Sequence, residues 1–269
     1  MANHHVPGYY MIRPIFRGGM TDIYVATDPA GQRVIVRFLK ETYARDRRIR
    51  KQFLHGISVL THVQHRHVVR LFDHGIVDDL PYMVMEYLNG CTLRDLLIRK
   101  DPLIGYDLIP LMRQMAEALY WVHYKNYLHL DYKPENLMVS PDRDITLIDF
   151  DLAMKHNGKP VALKEITGTP AYIAPECLRD KKADETADIF SFGVCCYEMM
   201  TGRKPFERDT QDGSLRAQMD SGVEATPPTQ YAPTLPSSLE DLVLKCLAKD
   251  VAKRYPSMSL VLKSLENWI

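Results

Sequence analysis

Within eight residues, His129-Leu130-Asp131-Tyr132-Lys133-Pro134-Glu135-Asn136, the chain places an acid, a cation and an amide carbonyl in close succession. Thirteen residues beyond Asn136 a second carboxylate, Asp149, stands between Ile148 and Phe150. A carboxylate can take the proton of an attacking hydroxyl, a lysine can offset phosphate charge, and an Asn–Asp pair can hold Mg²⁺. Those are the requirements of phosphoryl transfer. Without that chemistry the same residues make a polar turn between buried strands. Val122 and Tyr127-Leu128 precede it, and the β-prone Leu137-Met138-Val139 follows.

The elements that position these groups are legible from periodicity. Tyr9–Phe16, Asp22–Asp28 and Arg33–Leu39 alternate as short strands, joined by Gly18-Gly19 and Pro29-Ala30-Gly31. Arg47–His62 reads as a helix, with Ile49, Phe53, Ile57 and Leu60 at threes and fours. Its basic run, Arg45, Arg47, Arg48, Arg50 and Lys51, is either a solvated face or a dock for an acidic partner. His65–Asp73 and Tyr82–Leu88 read as further strands. Thr92–Lys100, Tyr106–Lys125 and Ile189–Thr201, the last opened by Asp188, read as helices. Pro227–Pro236 is a connector between helices.

Composition bounds the class. The 269 residues allow one large domain or two lobes, and 46% hydrophobic content is ample for a core. Lys+Arg and Asp+Glu both number 34, so no net charge draws the chain to nucleic acid or to a membrane surface. Cys91, Cys177, Cys195, Cys196 and Cys246 show no CxxC spacing and no zinc-spaced histidines. The pair Cys195-Cys196 lies in the apolar run Phe190–Met200, which predicts buried reduced thiols and a cytoplasmic location. No apolar stretch has the length of a membrane span, and Met1–Tyr10 is not a signal peptide.

In order and spacing, the stretch 129–136 with Asp149 resembles the catalytic loop of the eukaryotic-type protein kinases, H-R-D-x-K-x-x-N, followed by D-F-G. Landmarks keep their order from about residue 9 to 268, and the chain is similar to the bacterial, Hanks-type serine/threonine protein kinases. The resemblance implies an α+β, bilobal kinase-like fold. A small β-rich N-lobe with one main helix would cover about 9–86, a larger α-helical C-lobe 87–269, with an ATP cleft between. It implies that Asp131 orients and deprotonates the substrate hydroxyl and Lys133 neutralises charge on the transferring phosphate. Asn136 and Asp149 would hold Mg²⁺, making ATP and Mg²⁺ the cofactors. Gly168-Thr169-Pro170-Ala171-Tyr172-Ile173-Ala174-Pro175-Glu176 matches the end of an activation segment. There Thr169 would bridge Asp131 and Lys133, which points to hydroxyl rather than phenol acceptors. Met85 would be the gatekeeper, with the Glu86 carbonyl and Leu88 amide facing adenine. Gly18, Gly19, Ile23, Ile35, Arg37 and Met138 would complete the nucleotide-binding set. Asp188 would anchor the catalytic loop and Arg254 would pair with Glu176. The implied partner is a protein, as substrate or as regulated target.

Several positions depart from the pattern. In Ile15–Tyr24 only Gly18 and Gly19 remain of the glycine-rich loop. Taken alone they are an ordinary hairpin turn. Phe16 stands at the first glycine, where it would shield the ribose region or fold into it, and Thr21 stands at the last. The V-A-I-K of the third strand is Val34-Ile35-Val36-Arg37. Ile35 replaces a small residue over adenine, and overfilling a fixed pocket costs roughly 1–3 kcal/mol. Arg37 keeps the charge but not the shape of lysine. Gly56 stands where the helix should supply the glutamate that pairs with that lysine, and glycine weakens a helix by about 1 kcal/mol. Freed of that partner, Arg37 could reach a phosphate or Asp149. Leu130 replaces the arginine that grips a phosphorylated loop. Asp151 replaces the glycine of D-F-G, either as an extra metal ligand or projecting to solvent.

Three functions fit: an active Ser/Thr kinase in which Arg37 does the work of the lysine, a kinase-fold protein that binds ATP and Mg²⁺ with transfer weak or lost, and a nucleotide-free pseudokinase scaffold. The intact segment Gly168–Glu176 counts against small-molecule phosphotransfer. Losing one preorganised electrostatic group typically costs ~10²–10³ in rate. On sequence alone the departures favour the binding protein with weak or lost transfer.

Overall fold

The computed structural model describes residues 6–266 and 268, with backbone alone at 16–18. The side chain of Phe16 and the first half of Met1–Tyr10 therefore lie outside the described residues. The chain divides into two compact units, Met1–Asn89 with Asp149–Asp151, and Gly90–Ile148 with Leu152–Ile269.

The first unit is an antiparallel five-stranded sheet with one long helix. Strands β1 (Tyr10–Gly18), β2 (Thr21–Thr27) and β3 (Arg33–Leu39) are followed by a helical turn α1 (Glu41–Ala44) and by α2 (Arg47–His62). Strands β4 (Leu71–Val77) and β5 (Leu80–Glu86) complete the order β1-β2-β3-β5-β4. Side chains alternate across the sheet. Val34, Val36 and Phe38 of β3 join Ala26, Tyr82 and Val84 in an apolar cluster on one face. The other face carries Ile23, Val25, Ile35, Arg37, Met83 and Met85, in register across β2, β3 and β5. Asp46 caps α2, accepting from Arg48 N at 2.8 Å and Ile49 N at 3.1 Å. The helix buries Phe53, Ile57, Val59 and Leu60. Of its basic run, Arg45, Arg47, Arg48 and Lys51 are exposed, while Arg50 reaches Asp79.

Two strands differ from expectation. His65–Arg70 is not strand; Val68 N closes a turn on His65 O, and Val68 and Val69 are buried from a loop. An apolar pair next to histidines imitates a strand start, but the ladder begins at Leu71 and runs through Gly75 to Val77. The next strand starts at Leu80 rather than Tyr82 and ends at Glu86. Pro81 lacks an N–H and sits near the strand's beginning, where that loss is tolerated. The first hairpin turns on Gly19 and Met20, with Gly18 already in β1 and Gly19 at φ 51°.

The second unit is mainly helical. It contains β6 (Cys91–Thr92), α3 (Leu93–Arg99), α4 (Leu103–Tyr106), α5 (Leu108–Tyr124), β7 (Tyr127–Leu128), β8 (Leu137–Val139) and β9 (Ile145–Leu147). After Asp151 follow β10 (Met154–Lys155), β11 (Val161–Ala162), α6 (Pro175–Asp180), β12 (Lys182–Ala183) and α7 (Glu185–Thr201). Helices α8 (Gln211–Met219), α9 (Ser237–Cys246) and α10 (Met258–Glu266) end the chain. Thr92 and Asp95 form a reciprocal capping box on α3. The stretch expected as one helix over Tyr106–Lys125 is broken at Asp107, which separates α4 from α5. Helix α7 begins earlier than Asp188. Asp184 caps it through Thr186 N at 2.9 Å, a polar start that apolar periodicity does not register. It is apolar nearly all round, and 189–197 are buried throughout, as suits a helix enclosed on every side. Each large apolar side chain so buried stabilises by about 1.5–3 kcal/mol. Pro227–Pro236 does connect α8 to α9, through a short 3₁₀ turn at Pro228–Gln230.

All five cysteines are free, and four are buried. Burial pushes the Cys195 and Cys196 thiols well above their ordinary pKa. Among the described residues no helix is long and apolar enough to cross a membrane.

Candidate active site

In the second unit, Asp131, Lys133, Asn136 and Thr169 form one connected group. The segment after β7 has no regular structure until the 3₁₀ turn Pro134–Asn136, so its shape depends on outside anchors. Asp188, wholly buried in the first turn of α7, supplies the main one. It accepts from His129 N at 2.8 Å, Leu130 N at 2.8 Å and His123 Nε2 at 2.9 Å. Burial alone would raise the Asp188 pKa, but the His123 hydrogen bond and the facing histidines and amide bring it below its ordinary value. Held this way, Leu130 adopts a left-handed φ of 61°, which costs an L-residue roughly 1–2 kcal/mol. That bend presents Asp131.

Asp131 Oδ2 lies 2.7 Å from Lys133 Nζ and accepts from Asn136 Nδ2 at 3.0 Å. Lys133 also donates to Thr169 Oγ1 at 3.0 Å, so the bridging group between threonine and acid is the lysine, where the resemblance implies the threonine. Asp131 Oδ1 has no hydrogen-bond partner among the described residues. It is the one carboxylate oxygen of this group left as an open acceptor among the described residues. Gly168 adjoins it at φ 106°, and a β-carbon there would approach Leu130 O to 3.2 Å and Asp131 Oδ1 to 3.5 Å. The glycine is therefore needed twice, for conformation and for clearance.

The segment from Gly168 to Glu176 is fixed by contacts the sequence did not disclose. Arg94 of α3 donates to Glu198 at 2.6 Å and to Glu135, inside the catalytic stretch, at 2.8 Å. Tyr172 joins that group, donating to Glu198 Oε2 at 2.5 Å and contacting Arg94. Its hydroxyl pKa is raised by burial and by Glu198. These partners are 26 to 104 residues apart, so no local pattern announces them. Arg254 pairs with Glu176 in both of its branches, at 2.6 and 2.8 Å, as expected.

In the first unit, Ile23, Ile35, Arg37 and Met85 share one face of the sheet and are only partly buried. The Glu86 N–H donates to Arg70 O, and its side chain also turns to Arg70, where Oε1 accepts from Arg70 N at 2.7 Å. Burial raises its pKa against that hydrogen bond. Leu88 follows β5 outside regular secondary structure. Met138 belongs to the second unit, on β8 between Thr92 and Thr146.

Arg37 is fully engaged. Its Nε donates to Thr21 Oγ1 at 3.3 Å, and its guanidinium lies 5.5 Å from the Phe53 ring centre. It meets Asp149 Oδ1 at 3.4 Å, one of the two contacts expected of an arginine freed from a helix glutamate. It also grips Asp151 by a two-pronged bond, 3.2 and 2.7 Å. Burial opposes the Arg37 charge, but Asp151 and then Asp149 raise its pKa above the ordinary value. Asp151 thus neither projects freely to solvent nor stands ready as a third metal ligand. The left-handed φ of this turn, 65°, falls on Asp149, and Asp151 has no positive φ to bear.

The oxygen donors fit Mg²⁺. Asn136 commits its amino group to the Asp131 carbonyl at 2.8 Å and to its carboxylate, leaving Oδ1 as acceptor. Among the described residues no three His, Cys, Asp or Glu side chains gather around a metal position. Taken singly, a free amide oxygen such as Asn136 Oδ1 suits a hard cation that takes water in its other positions.

The family description "Protein kinase domain" matches residues 9–265. Among curated relatives, the chain is similar to the serine/threonine-protein kinase PrkC of Bacillus subtilis, 29% identical over 92% of this chain and 38% of that protein. The probable serine/threonine-protein kinase PknB of Bifidobacterium longum is 31% identical over 93% of this chain and 38% of its own length. The serine/threonine-protein kinase PknL of Mycobacterium tuberculosis is 31% identical, over 92% and 62% respectively. The chain thus spans 38% of the length of two of these relatives and 62% of the third, less than two thirds in each case.

Proposed function

This chain belongs to the protein kinase domain family, and from that premise we propose that it binds Mg²⁺ and ATP weakly and transfers the γ-phosphoryl group to serine or threonine of a protein. The observation that carries the reading is the Asp131–Lys133–Thr169 connection, with Asp131 Oδ1 unpartnered. Asp131 takes the hydroxyl proton through Oδ1 while Lys133 holds its other oxygen and offsets charge on the moving phosphoryl. Thr169 holds Lys133 in place. Asn136, and Asp149 by the resemblance, would each offer an oxygen to Mg²⁺, which would offset phosphate charge. Arg37 supplies a cation to the nucleotide-facing side of the sheet. Ile35 in place of a smaller residue, and an arginine already bonded to carboxylates, support weak rather than tight nucleotide binding.

A second reading is supported by the same Ile35 and by Gly56: a nucleotide-binding regulator of a partner protein without turnover. Calorimetric titration with ATP, with and without Mg²⁺, separates them when followed by phosphotransfer to a generic acceptor such as casein. The kinase reading expects binding that Mg²⁺ strengthens, loss of that gain in Asp149→Asn, and transfer absent from Asp131→Asn. Binding with no transfer above the Asp131→Asn control supports the regulator. No binding at millimolar ATP defeats both.

A further inference from the structure

Arg37, Gly56 and Asp151 depart from the kinase pattern one by one in sequence, but in the first unit they are a single arrangement. The resembling pattern sets a lysine on the third strand against a glutamate on the long helix. Here the strand cation is present, and the helix position is bare. A β-carbon built on Gly56 would lie 2.6 Å from Asp151 Oδ1 and 3.3 Å from Asp151 Cα. The second of those contacts is with backbone, so no rotamer change relieves it. Any side chain at position 56 would displace Asp151, and Asp151 is the residue that grips Arg37 with both oxygens.

We infer that Asp151 is the positioning residue for Arg37, that it replaces the carboxylate missing from α2, and that Gly56 is the clearance it requires. Distances separate the roles of the two acids. The Asp151 contact is two-pronged with a 2.7 Å arm, whereas the Asp149 contact is single and long at 3.4 Å. A planar guanidinium suits the two-pronged geometry, which an ammonium cannot copy. Arginine at position 37 therefore follows from aspartate at 151. Charge is also conserved. One cation and two carboxylates leave the same net −1 as a lysine, a helix glutamate and the D-F-G aspartate. Among the contacts of the described residues, helix α2 contributes the Phe53 ring to Arg37.

The nucleotide half of this inference rests on the function proposed above, but the arrangement itself is testable without nucleotide. The variants are Gly56→Glu, Asp151→Gly, their combination, and Asp151→Asn. Melting temperature without ligand and ATP affinity with Mg²⁺ are read for each. Gly56→Glu alone should lower the melting temperature by about 5 °C or fail to fold, and in the Asp151→Gly background it should raise it. Asp151→Asn, which keeps shape and loses charge, should lower the melting temperature and weaken ATP about tenfold or more. Gly56→Glu equally harmful in both backgrounds, or Asp151→Asn melting like wild type, overturns the inference. If no variant and no wild type binds ATP while the reversal in melting appears, the proposed function fails and the positioning role stands.

Discussion

Lys133 Nζ lies 3.0 Å from Thr169 Oγ1 and 2.7 Å from Asp131 Oδ2, so one ammonium links the activation segment to the acid of the catalytic loop. Thr169→Ser keeps the hydroxyl and should retain phosphotransfer. Thr169→Val should lower it, and Lys133→Ala should lower kcat by ~10²–10³. Initial-rate assays on a serine-containing acceptor check this; wild-type rates in Lys133→Ala would remove the lysine from the chemistry.

Arg37 is the cation on the sheet face shared by Ile23, Ile35 and Met85. On the proposed function, Arg37→Ala should abolish phosphotransfer. Arg37→Lys should not restore it, because a lysine cannot fill both arms of Asp151. Equal activity of wild type and Arg37→Ala would end the role given to Arg37.

Asp188 holds two backbone amides and a histidine with no exposure to water. Asp188→Ala leaves those donors buried without partners and should destabilise by about 3 kcal/mol or more. Its folded pKa is depressed, so its contribution is present above the ordinary carboxylate value and is lost as pH falls through the folded one. Urea unfolding at neutral pH measures the cost; a change near zero would mean the loop is held elsewhere.

Arg254 and Glu176 form a buried two-pronged pair. Removing either partner alone should cost about 3–5 kcal/mol, and removing both should cost less than the sum, because neither charge is then left unpaired. A double-mutant cycle by chemical denaturation decides, and strict additivity would count against coupling.

His156 is buried beside Glu185 and His123, and burial depresses its pKa against the pull of Glu185. The neutral form is favoured on folding. Stability from this group is complete above about pH 6.5 and is lost as pH falls through that value toward the folded one. Melting temperature should drop between pH 7.5 and 5.5, and His156→Gln should flatten the slope; an unchanged slope would assign it to other groups.

The fold class and the chemistry were legible because they reside in short-range order. Asp131, Lys133 and Asn136 lie within six residues, and α2, α3 and β3 carry their own periodicity and caps. Single sequence positions also gave Thr169, Asp188 and Arg254 their partners, through the resemblance. Element starts were harder to read where polar capping replaces apolar spacing, as at Asp184, or where a loop buries valines, as at Val68-Val69. The role of Asp151 is not legible in the sequence, because its neighbours are 114 residues away on β3 and 95 away on α2, and only proximity in space gives them meaning. In sequence, Arg37, Gly56 and Asp151 are three losses. Tertiary structure alone makes them one ion pair, because the space vacated by a helix side chain and the charge that fills it come from different parts of the chain.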